Sequence, residues 1–263
     1  MHPTDAELAV AAAEAGAAVV RAKYGGPLAR YDKSPTDFAT DADLEAERAI
    51  LDVLRRARPD DGFLGEEAGA VGPAAARTWL VDPLCGTLNY AARTPLVSVN
   101  VALRDNGSVT AAAVADPLAG EVFWTDGVQA RLRHDGIDQP LAPSAHTRLV
   151  DVNLDAPFPN ADRFRAVRML AAAEFAGQFR PRVSSTTLAL TWVAAGRRAG
   201  YVTDGQLRDS VHFTSGIALC EAAGAVVTGL RGQPLHTGVE GLVAAADPDT
   251  HAALIAIINQ QSD

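Results

Sequence analysis

The segment WLVDPLCGTLNY places an acid, a glycine and a threonine directly after a short apolar run. Asp82 follows the expected strand, and Gly86 and Thr87 stand where a helix can begin. Free N–H groups at a helix start bind phosphate, and a carboxylate beside them can hold the Mg²⁺ that assists phosphoryl transfer. The segment therefore predicts a metal and phosphate site, although Cys85 stands where a second carboxylate would be most useful.

Two acidic stretches precede this segment. TDFATDADLEAE has three aspartates at or just before a helix start, Asp43 among them, where aspartate is commonly a capping residue. FLGEEAG ends a strand-like run in Glu66 and Glu67. Since neighbouring residues of an extended chain point to opposite sides, we expect at most one of the two glutamates to face a site.

The elements that position these residues differ between the two halves of the chain. Thr4 and Glu7 have the spacing of a capping box and predict a first helix, and an amphipathic pattern predicts a second. Short β-rich segments follow, with the Asn-Gly of RDNGS typical of a hairpin turn. Pro83 is expected to end the strand that carries Asp82. Two helices and a largely antiparallel sheet are thus predicted.

The second half alternates between strands and helices, which indicates an α/β layer. NADRFRAVRMLAAAEFAG is predicted as one helix, and TSGIALCEAAG as another that follows a polar loop containing Asp209 and His212. An isolated Asp or His in a loop is more often solvated than catalytic. LAPSAHT is the expected junction, which gives parts 1–140 and 141–263, packed tightly as one unit.

The composition limits the classes of function. The chain has 263 residues and a net charge of −9, which argues against a nucleic-acid surface but allows a local site for a small anion. Two cysteines are too few for a disulfide framework, and no apolar run approaches the ~20 residues of a membrane span. The N-terminus lacks the pattern of a signal peptide. We expect a cytoplasmic protein without nucleic-acid or membrane partners.

The order D-x-x-T-x-x-D, G-E-E and W-x-x-D-P-x-x-G-T-x-N resembles the inositol monophosphatase family, part of the Mg²⁺-dependent, lithium-sensitive sugar-phosphatase superfamily. The segments SSTTLALTWVAAGRRAGYV and SGIALCEAAGAVVTGLRGQPL extend the resemblance over nearly the whole chain. It implies a layered αβαβα sandwich of the inositol monophosphatase/fructose-1,6-bisphosphatase type. It also implies a homodimer and Mg²⁺-dependent hydrolysis of a small phosphorylated metabolite.

The resemblance also implies roles for single positions. Glu66, Asp82 and the carbonyl of Leu84 match metal ligands, while Asp43 and Thr87 match the pair that orients and activates the attacking water.

Residues on the phosphate and substrate side are implied in the same way. The N–H groups of Gly86 and Thr87 match the phosphate cradle. Ser185, Asp209 and His212 fall in segments expected to contact phosphate or substrate.

Two departures from the family pattern concern metal ligands. Cys85 replaces the second aspartate of D-P-x-D-G-T. The late family aspartate falls on Val211 when counted back from EAAG, or on Ser210 when counted forward from GYVTDG, and Asp209 can substitute only if the loop shifts. Because Mg²⁺ prefers carboxylate oxygen and a thiol is a poor ligand, we expect impaired metal binding and impaired two-metal hydrolysis.

Three interpretations stay open. The protein is a phosphatase in which Asp209 supplies the last ligand. Alternatively, the pocket runs other chemistry, with Cys85 as nucleophile or acid/base and His212 or Asp209 nearby. In the third, the protein is a catalytically silent binding or regulatory homologue, and Cys85 is simply a small residue where a ligand was lost. Fold alone does not decide among them.

Overall fold

The structure, a computed structural model, describes residues 3–34, 37–73, 75–156 and 158–261. The chain divides into two compact units. The first is Met1–Pro140 together with Val211–Leu219, and the second is Leu141–Ser210 together with Cys220–Asp263. Residues Val211–Leu219, which lie late in the sequence, thus belong to the first unit. A single boundary near residue 140 does not describe this division. Within the described residues, none of the helices combines the length and apolar character that a membrane span requires.

Two helices of the first unit pack against each other. Helix α1 is Asp5–Lys23 and begins with the predicted capping box, in which Thr4 and Glu7 satisfy each other's backbone N–H groups. The hairpin of β1 (Arg30–Ser34) and β2 (Asp37–Thr40) leads into α2, Asp41–Ala57. The facing sides of both helices are buried and consist of alanines and larger aliphatic residues. Because the alanine side chains are small, the two helix backbones can approach closely.

An eight-stranded sheet forms the rest of this unit. Its strands are β3 (Gly62–Gly65), β4 (Gly69–Val71), β5 (Arg77–Cys85), β6 (Ser98–Asp105), β7 (Ser108–Asp116), β8 (Glu121–Thr125), β9 (Ala130–His134) and β10 (Ile137–Pro140). Their order is β10-β9-β8-β7-β6-β5-β3-β4, and only β3 and β5 pair in parallel. Asn106 and Gly107 both have positive φ, 49° and 86°, in the predicted hairpin turn between β6 and β7.

Strand β5 does not end at Pro83, so that prediction is wrong. Asp82 pairs with Asn100 of β6, the register then shifts, and Cys85 pairs with Ser98. A bulge accommodates the missing N–H of proline and lets the strand continue. Helix α3, Thr87–Ala91, starts two residues later, so the bulge sets where the strand delivers its last side chains.

The second unit contains a mixed five-stranded sheet. Its strands are β11 (Leu149–Asn153), β12 (Arg180–Val183), β13 (Gly200–Thr203), β14 (Val226–Thr228) and β15 (Leu242–Ala245), in the order β12-β11-β13-β15-β14. Strand β11 pairs in parallel with its neighbours β12 and β13. Strand β15 pairs antiparallel with its neighbours β13 and β14.

One helix predicted for the second half is divided into two shorter helices. The elements are α4 (Ala166–Met169), α5 (Ala173–Gln178), α6 (Leu188–Ala194), α7 (Thr214–Ala223) and α8 (Pro248–Gln260). The segment predicted as one helix forms α4 and α5, because Ala172 adopts an extended conformation. This break lets Phe164, Met169 and Phe175 all reach the core of the unit.

Candidate active site

Asp82 is the centre of the site and is completely buried. Asn100, its partner across the strand pair, donates from Nδ2 to Oδ2 at 3.1 Å, and the N–H of Leu84 donates to Oδ1 at 3.2 Å. His212 Nδ1 lies 2.7 Å from Oδ2. Burial alone would raise the pKa of Asp82, but the charge and the hydrogen bond of His212 outweigh it and lower the pKa. Asp82 is therefore held as a carboxylate.

His212 comes to the site because of its neighbour Val211. Val211 packs against an apolar cluster that includes Leu80, Ala102 and Ala218. The next side chain, that of His212, then faces Asp82. The sequence count ended on Val211, and the polar, irregular loop offered no period from which the residue that faces Asp82 could be predicted.

Cys85 lies half-buried at the end of the β5 bulge, and its Sγ is within 4.8 Å of a ring nitrogen of His212. Burial lowers the pKa of His212, but Asp82 and Cys85 together raise it well above its usual value. Donor atoms of Asp82, Cys85 and His212 all lie within 4.8 Å of one another. The structure therefore brings Cys85, one of the two departures from the family pattern, together with a histidine of the late loop.

Glu66 follows β3 and lies next to this cluster. Its Oε1 is 3.2 Å from Lys33 Nζ, and Glu67 Oε1 is 2.6 Å from the same ammonium. The expectation that the two glutamates point to opposite sides is wrong, because the chain turns after Gly65 and is no longer extended. Burial and the charge of Asp82 raise the pKa of Glu66 to about 8. Its Oε2 is buried and has no hydrogen-bond partner within the described part of the chain.

Asp43 serves both as a helix cap and as a site residue. Its Oδ2 accepts from the N–H and the hydroxyl of Thr40, at 2.8 Å and 2.6 Å. Its Oδ1 accepts from the hydroxyl of Thr87 at 3.0 Å, and that hydroxyl is also 3.2 Å from the carbonyl oxygen of Leu84. Burial raises the pKa of Asp43 despite these hydrogen bonds. Capping and catalysis were weighed as alternatives from the sequence; one carboxylate oxygen takes part in the capping box, the other contacts Thr87, and the catalytic role stays a prediction.

Gly86 allows the chain to pass from the bulge into α3. Its φ is 94°, and a Cβ at this position would lie 2.8 Å from the carbonyl oxygen of Leu96. A side chain there would be strained and would clash. Gly86 therefore fixes the N–H groups of Gly86 and Thr87 at the start of α3.

Sequence reasoning missed two buried residues that support the site. Asn100 has no local signal, because its place opposite Asp82 depends on strand register. Glu47, one turn after Asp43 on α2, accepts from the N–H groups of Glu67 and Ala68 and so holds the turn that carries Glu66. A buried glutamate at helical spacing from a site aspartate was the available signal for Glu47.

Ser185 and Asp209 belong to the second unit. The hydroxyl of Ser185 donates to Asp155 Oδ2 at 2.5 Å, and Asp209 is exposed with a φ of 55°. The role of both residues in substrate binding stays a prediction. The described contacts of Asp82 come from His212, Asn100 and Leu84, so it is His212 that takes the place considered for Asp209.

The donor chemistry of the cluster fits Mg²⁺ only in part. Glu66 Oε2, Asp82 and the carbonyl of Leu84 offer oxygen. Cys85 and His212 offer sulfur and nitrogen, whereas Mg²⁺ takes oxygen ligands in near-octahedral geometry. These residues do not fit the pair of Mg²⁺ ions that the family pattern implies.

Comparisons with known proteins match nearly the whole chain. Residues 3–263 match a family model described as "Inositol monophosphatase family". Inositol-1-monophosphatase of Caulobacter vibrioides is 30% identical over 85% of this chain and 88% of its own. Nus factor SuhB of Salmonella typhimurium is 32% identical over 97% of this chain and 96% of its own.

Solved structures show the same fold. The extragenic suppressor protein suhB of Bartonella henselae superposes with a TM-score of 0.83 at 26% identity, covering 95% of this chain and 96% of that one. An inositol monophosphatase–fructose 1,6-bisphosphatase gives a TM-score of 0.78 at 16% identity, covering 97% and 100%. The chain therefore has the layered α+β fold of this type, as the resemblance implied.

Proposed function

The chain belongs to the inositol monophosphatase family, and from that premise we propose that it hydrolyses the phosphomonoester of a small phosphorylated metabolite. The observation that carries the proposal is the hydrogen bond from the Thr87 hydroxyl to Asp43, formed beside buried Asp82. A silent binding protein has no need for a hydroxyl aligned on a buried carboxylate.

The Thr87–Asp43 pair can take a proton from water. A threonine hydroxyl that donates to a carboxylate keeps lone pairs with which it can accept a hydrogen from a water molecule. As the water oxygen bonds to phosphorus, its proton passes to Thr87 while the Thr87 proton passes to Asp43. The ester P–O bond breaks, and the alcohol leaves with a proton from solvent. The raised pKa of Asp43 makes it a better base than an exposed aspartate.

The remaining residues would orient the phosphate and hold its charge. Asp82 would help to hold a divalent ion, which would supply Lewis-acid stabilisation of charge on the phosphoryl group. Gly86, which has no side chain to clash with the carbonyl of Leu96, would keep the N–H groups of Gly86 and Thr87 at the start of α3, where a phosphate oxygen could accept from them. Glu47 and Asn100 hold the loop and the carboxylate that face this space.

The proposal is tested by phosphate release from a panel of phosphorylated sugars, polyols and nucleoside monophosphates, with Mg²⁺ and Zn²⁺ supplied separately. Thr87→Val should lower kcat about 10²–10³-fold with little change in KM, because it removes the proton acceptor and not the binding groups. Thr78→Val is the matched control: Thr78 also donates its hydroxyl to a backbone carbonyl, that of Ala75, and lies in β5 away from the pair. It should keep full activity.

Two results would contradict the proposal. One is the absence of phosphate release from every substrate with either ion. The other is a Thr87→Val variant as active as Thr78→Val, which would remove the pair from the mechanism.

The cellular setting is part of the same proposal. We expect a cytoplasmic homodimer without a nucleic-acid partner, on the basis of the net charge of −9 and the family. The Salmonella relative is named a Nus factor and the Caulobacter relative a phosphatase, so the names support different roles. Sedimentation of the protein alone and with RNA would test both expectations.

A second candidate function is thiol chemistry, which the contact of Cys85 with His212, itself bonded to Asp82, favours. An aspartate that orients an imidazole beside a thiol is an arrangement that can activate a nucleophile. Mass spectrometry of the protein after incubation with the substrate panel would reveal a covalent adduct on Cys85. If no adduct forms under any condition that supports turnover, this candidate is excluded.

A further inference from the structure

We propose that Asp82, Cys85 and His212, with Glu66 as fourth ligand, bind one divalent ion of the zinc type in place of the magnesium ions that the family pattern implies. The part that such an ion plays in hydrolysis rests on the proposed function, whereas its binding does not. Zinc is commonly held by four ligands drawn from thiolate, imidazole and carboxylate groups.

The first argument is the convergence of three different donor types. Their ligand atoms lie within 4.8 Å of one another, although His212 is 130 residues from Asp82. In a tetrahedral zinc site, bonds of about 2.0–2.3 Å place neighbouring donors about 3.3–3.8 Å apart. The 2.7 Å contact of Asp82 with His212 is shorter than this spacing. That hydrogen bond would give way by about half an ångström as the ion replaces its proton.

The second argument is the buried oxygen of Glu66. Oε2 has no hydrogen-bond partner among the described residues, and Glu66 is outside the group of donors that lie within 4.8 Å of one another, so its carboxylate would turn to reach the ion. A buried carboxylate oxygen without a donor is costly, and a bound cation would satisfy it. Lys33 holds the other oxygen, Oε1, at 3.2 Å, which leaves Oε2 free to turn to the ion.

The third argument is the direction of the chemical change. Relative to the family pattern, cysteine stands at one carboxylate position, and His212, which follows the other altered position in the chain, faces Asp82. The two residues offer sulfur and nitrogen, which favour zinc and similar ions over Mg²⁺. Random loss of ligands would not be expected to bring two such donors to the same aspartate.

Supporting hydrogen bonds are also in place. Asn100 donates to Asp82 at 3.1 Å and the N–H of Leu84 at 3.2 Å. Bonds of this kind orient metal ligands, and removing one typically costs 10–100-fold in metal affinity. Asp82 is thus prepared to bind an ion with little reorganisation.

The test uses the full chain after removal of metal with a chelator. Titration with Co²⁺ should give a thiolate-to-cobalt charge-transfer band that saturates near one equivalent per chain, and Zn²⁺ should bleach it. Cys85→Ser should abolish the band and weaken Zn²⁺ binding by about 100-fold or more. Cys220→Ser is the matched control, because Cys220 is completely buried and donates to the carbonyl of Leu190. It should keep the band.

Two further measurements protect the test against a variant that fails to fold. In the wild-type chain, Zn²⁺ should slow alkylation of Cys85 at least tenfold while Mg²⁺ does not. Cys85→Asp, which restores the family acid, should lose the band and shift the preference towards Mg²⁺ by at least tenfold.

The proposal is overturned if saturating Co²⁺ gives no thiolate band, if the band survives Cys85→Ser, or if Zn²⁺ leaves the alkylation of Cys85 unchanged. The last result would instead favour thiol chemistry. A cobalt band without phosphate release would support the ion site and contradict the proposed hydrolysis. Phosphate release with Mg²⁺ in the absence of a cobalt band would support the proposed hydrolysis and contradict the ion site.

Discussion

Two buried aspartates, one in each unit, have opposite environments. Asp82 lies near the end of β5 and Asp204 directly follows β13, and neither is exposed to solvent. Asp82 receives hydrogen bonds on both oxygens and faces His212. Asp204 accepts from Asn160 Nδ2 at 2.8 Å through Oδ1, while its Oδ2 has no partner in the part of the chain that the structure describes.

The pKa values of the two groups follow these environments. Burial raises the pKa of Asp204, and the negative charge of Glu240 raises it further. The hydrogen bond from Asn160 and the charge of Arg165 lower this pKa, but by less than burial raises it. Burial acts in the same direction on Asp82, but the adjacent imidazole reverses the result. Burial of a carboxylate at a strand end therefore does not mark a functional site. Of these two aspartates, Asp82 has an imidazole partner and further donors on both oxygens, and we therefore propose a functional role for Asp82 and not for Asp204.

The largest expected effect is on Asp82. Asp82→Asn keeps the shape but removes a charged ligand, so phosphate release should fall about 10³-fold, because metal stabilisation of the transition state contributes several kcal/mol. The Co²⁺ titration should weaken in parallel, and circular dichroism should confirm that the fold is kept. Full activity in this variant would contradict the assignment of a functional role to Asp82 and not to Asp204.

A second prediction concerns the His212 contact without metal. In the chelated protein, His212→Ala should lower the free energy of unfolding by about 1–2 kcal/mol. Breaking a fully buried ion pair costs more, but the His212 side chain is 40% exposed and solvent screens part of the interaction. Urea unfolding of both single variants and of the double variant with Asp82→Asn measures the coupling. Strict additivity would show that the 2.7 Å contact contributes no stability.

The same contrast explains what could be predicted from the sequence. Asp82 and Thr87 lie in one continuous motif between a strand and a helix, and the helices and most strands have clear periods. The position of His212 depends on which neighbour enters an apolar cluster, and Val211 does so. Which of the two side chains enters the cluster is decided by tertiary packing and not by the local sequence. A bulge that lets a strand pass through Pro83 is likewise set by pairing with β6, which no local pattern encodes.

The smallest expected effect is at Asp204, and its sign is opposite to that at Asp82. Because the folded pKa of Asp204 lies above its ordinary value of 3.8, the native state holds this proton more tightly than the unfolded state. The resulting stability is present below about pH 3.8 and is lost as the pH rises through the raised pKa. Asp204→Asn cannot ionise, so above that range it should be more stable than the wild type, by less than about 1 kcal/mol.

Urea unfolding of the chelated protein from acid to neutral pH would measure this difference, with Asp82→Asn as the matched variant. The pKa of Asp82 is lowered, so its carboxylate stabilises the fold above the unfolded value and less so on acidification. Asp82→Asn should therefore lose stability relative to the wild type as the pH rises, while Asp204→Asn gains it. If the two variants changed in the same direction with pH, the presence of His212 would not be what separates the two aspartates, since burial alone acts on both with the same sign.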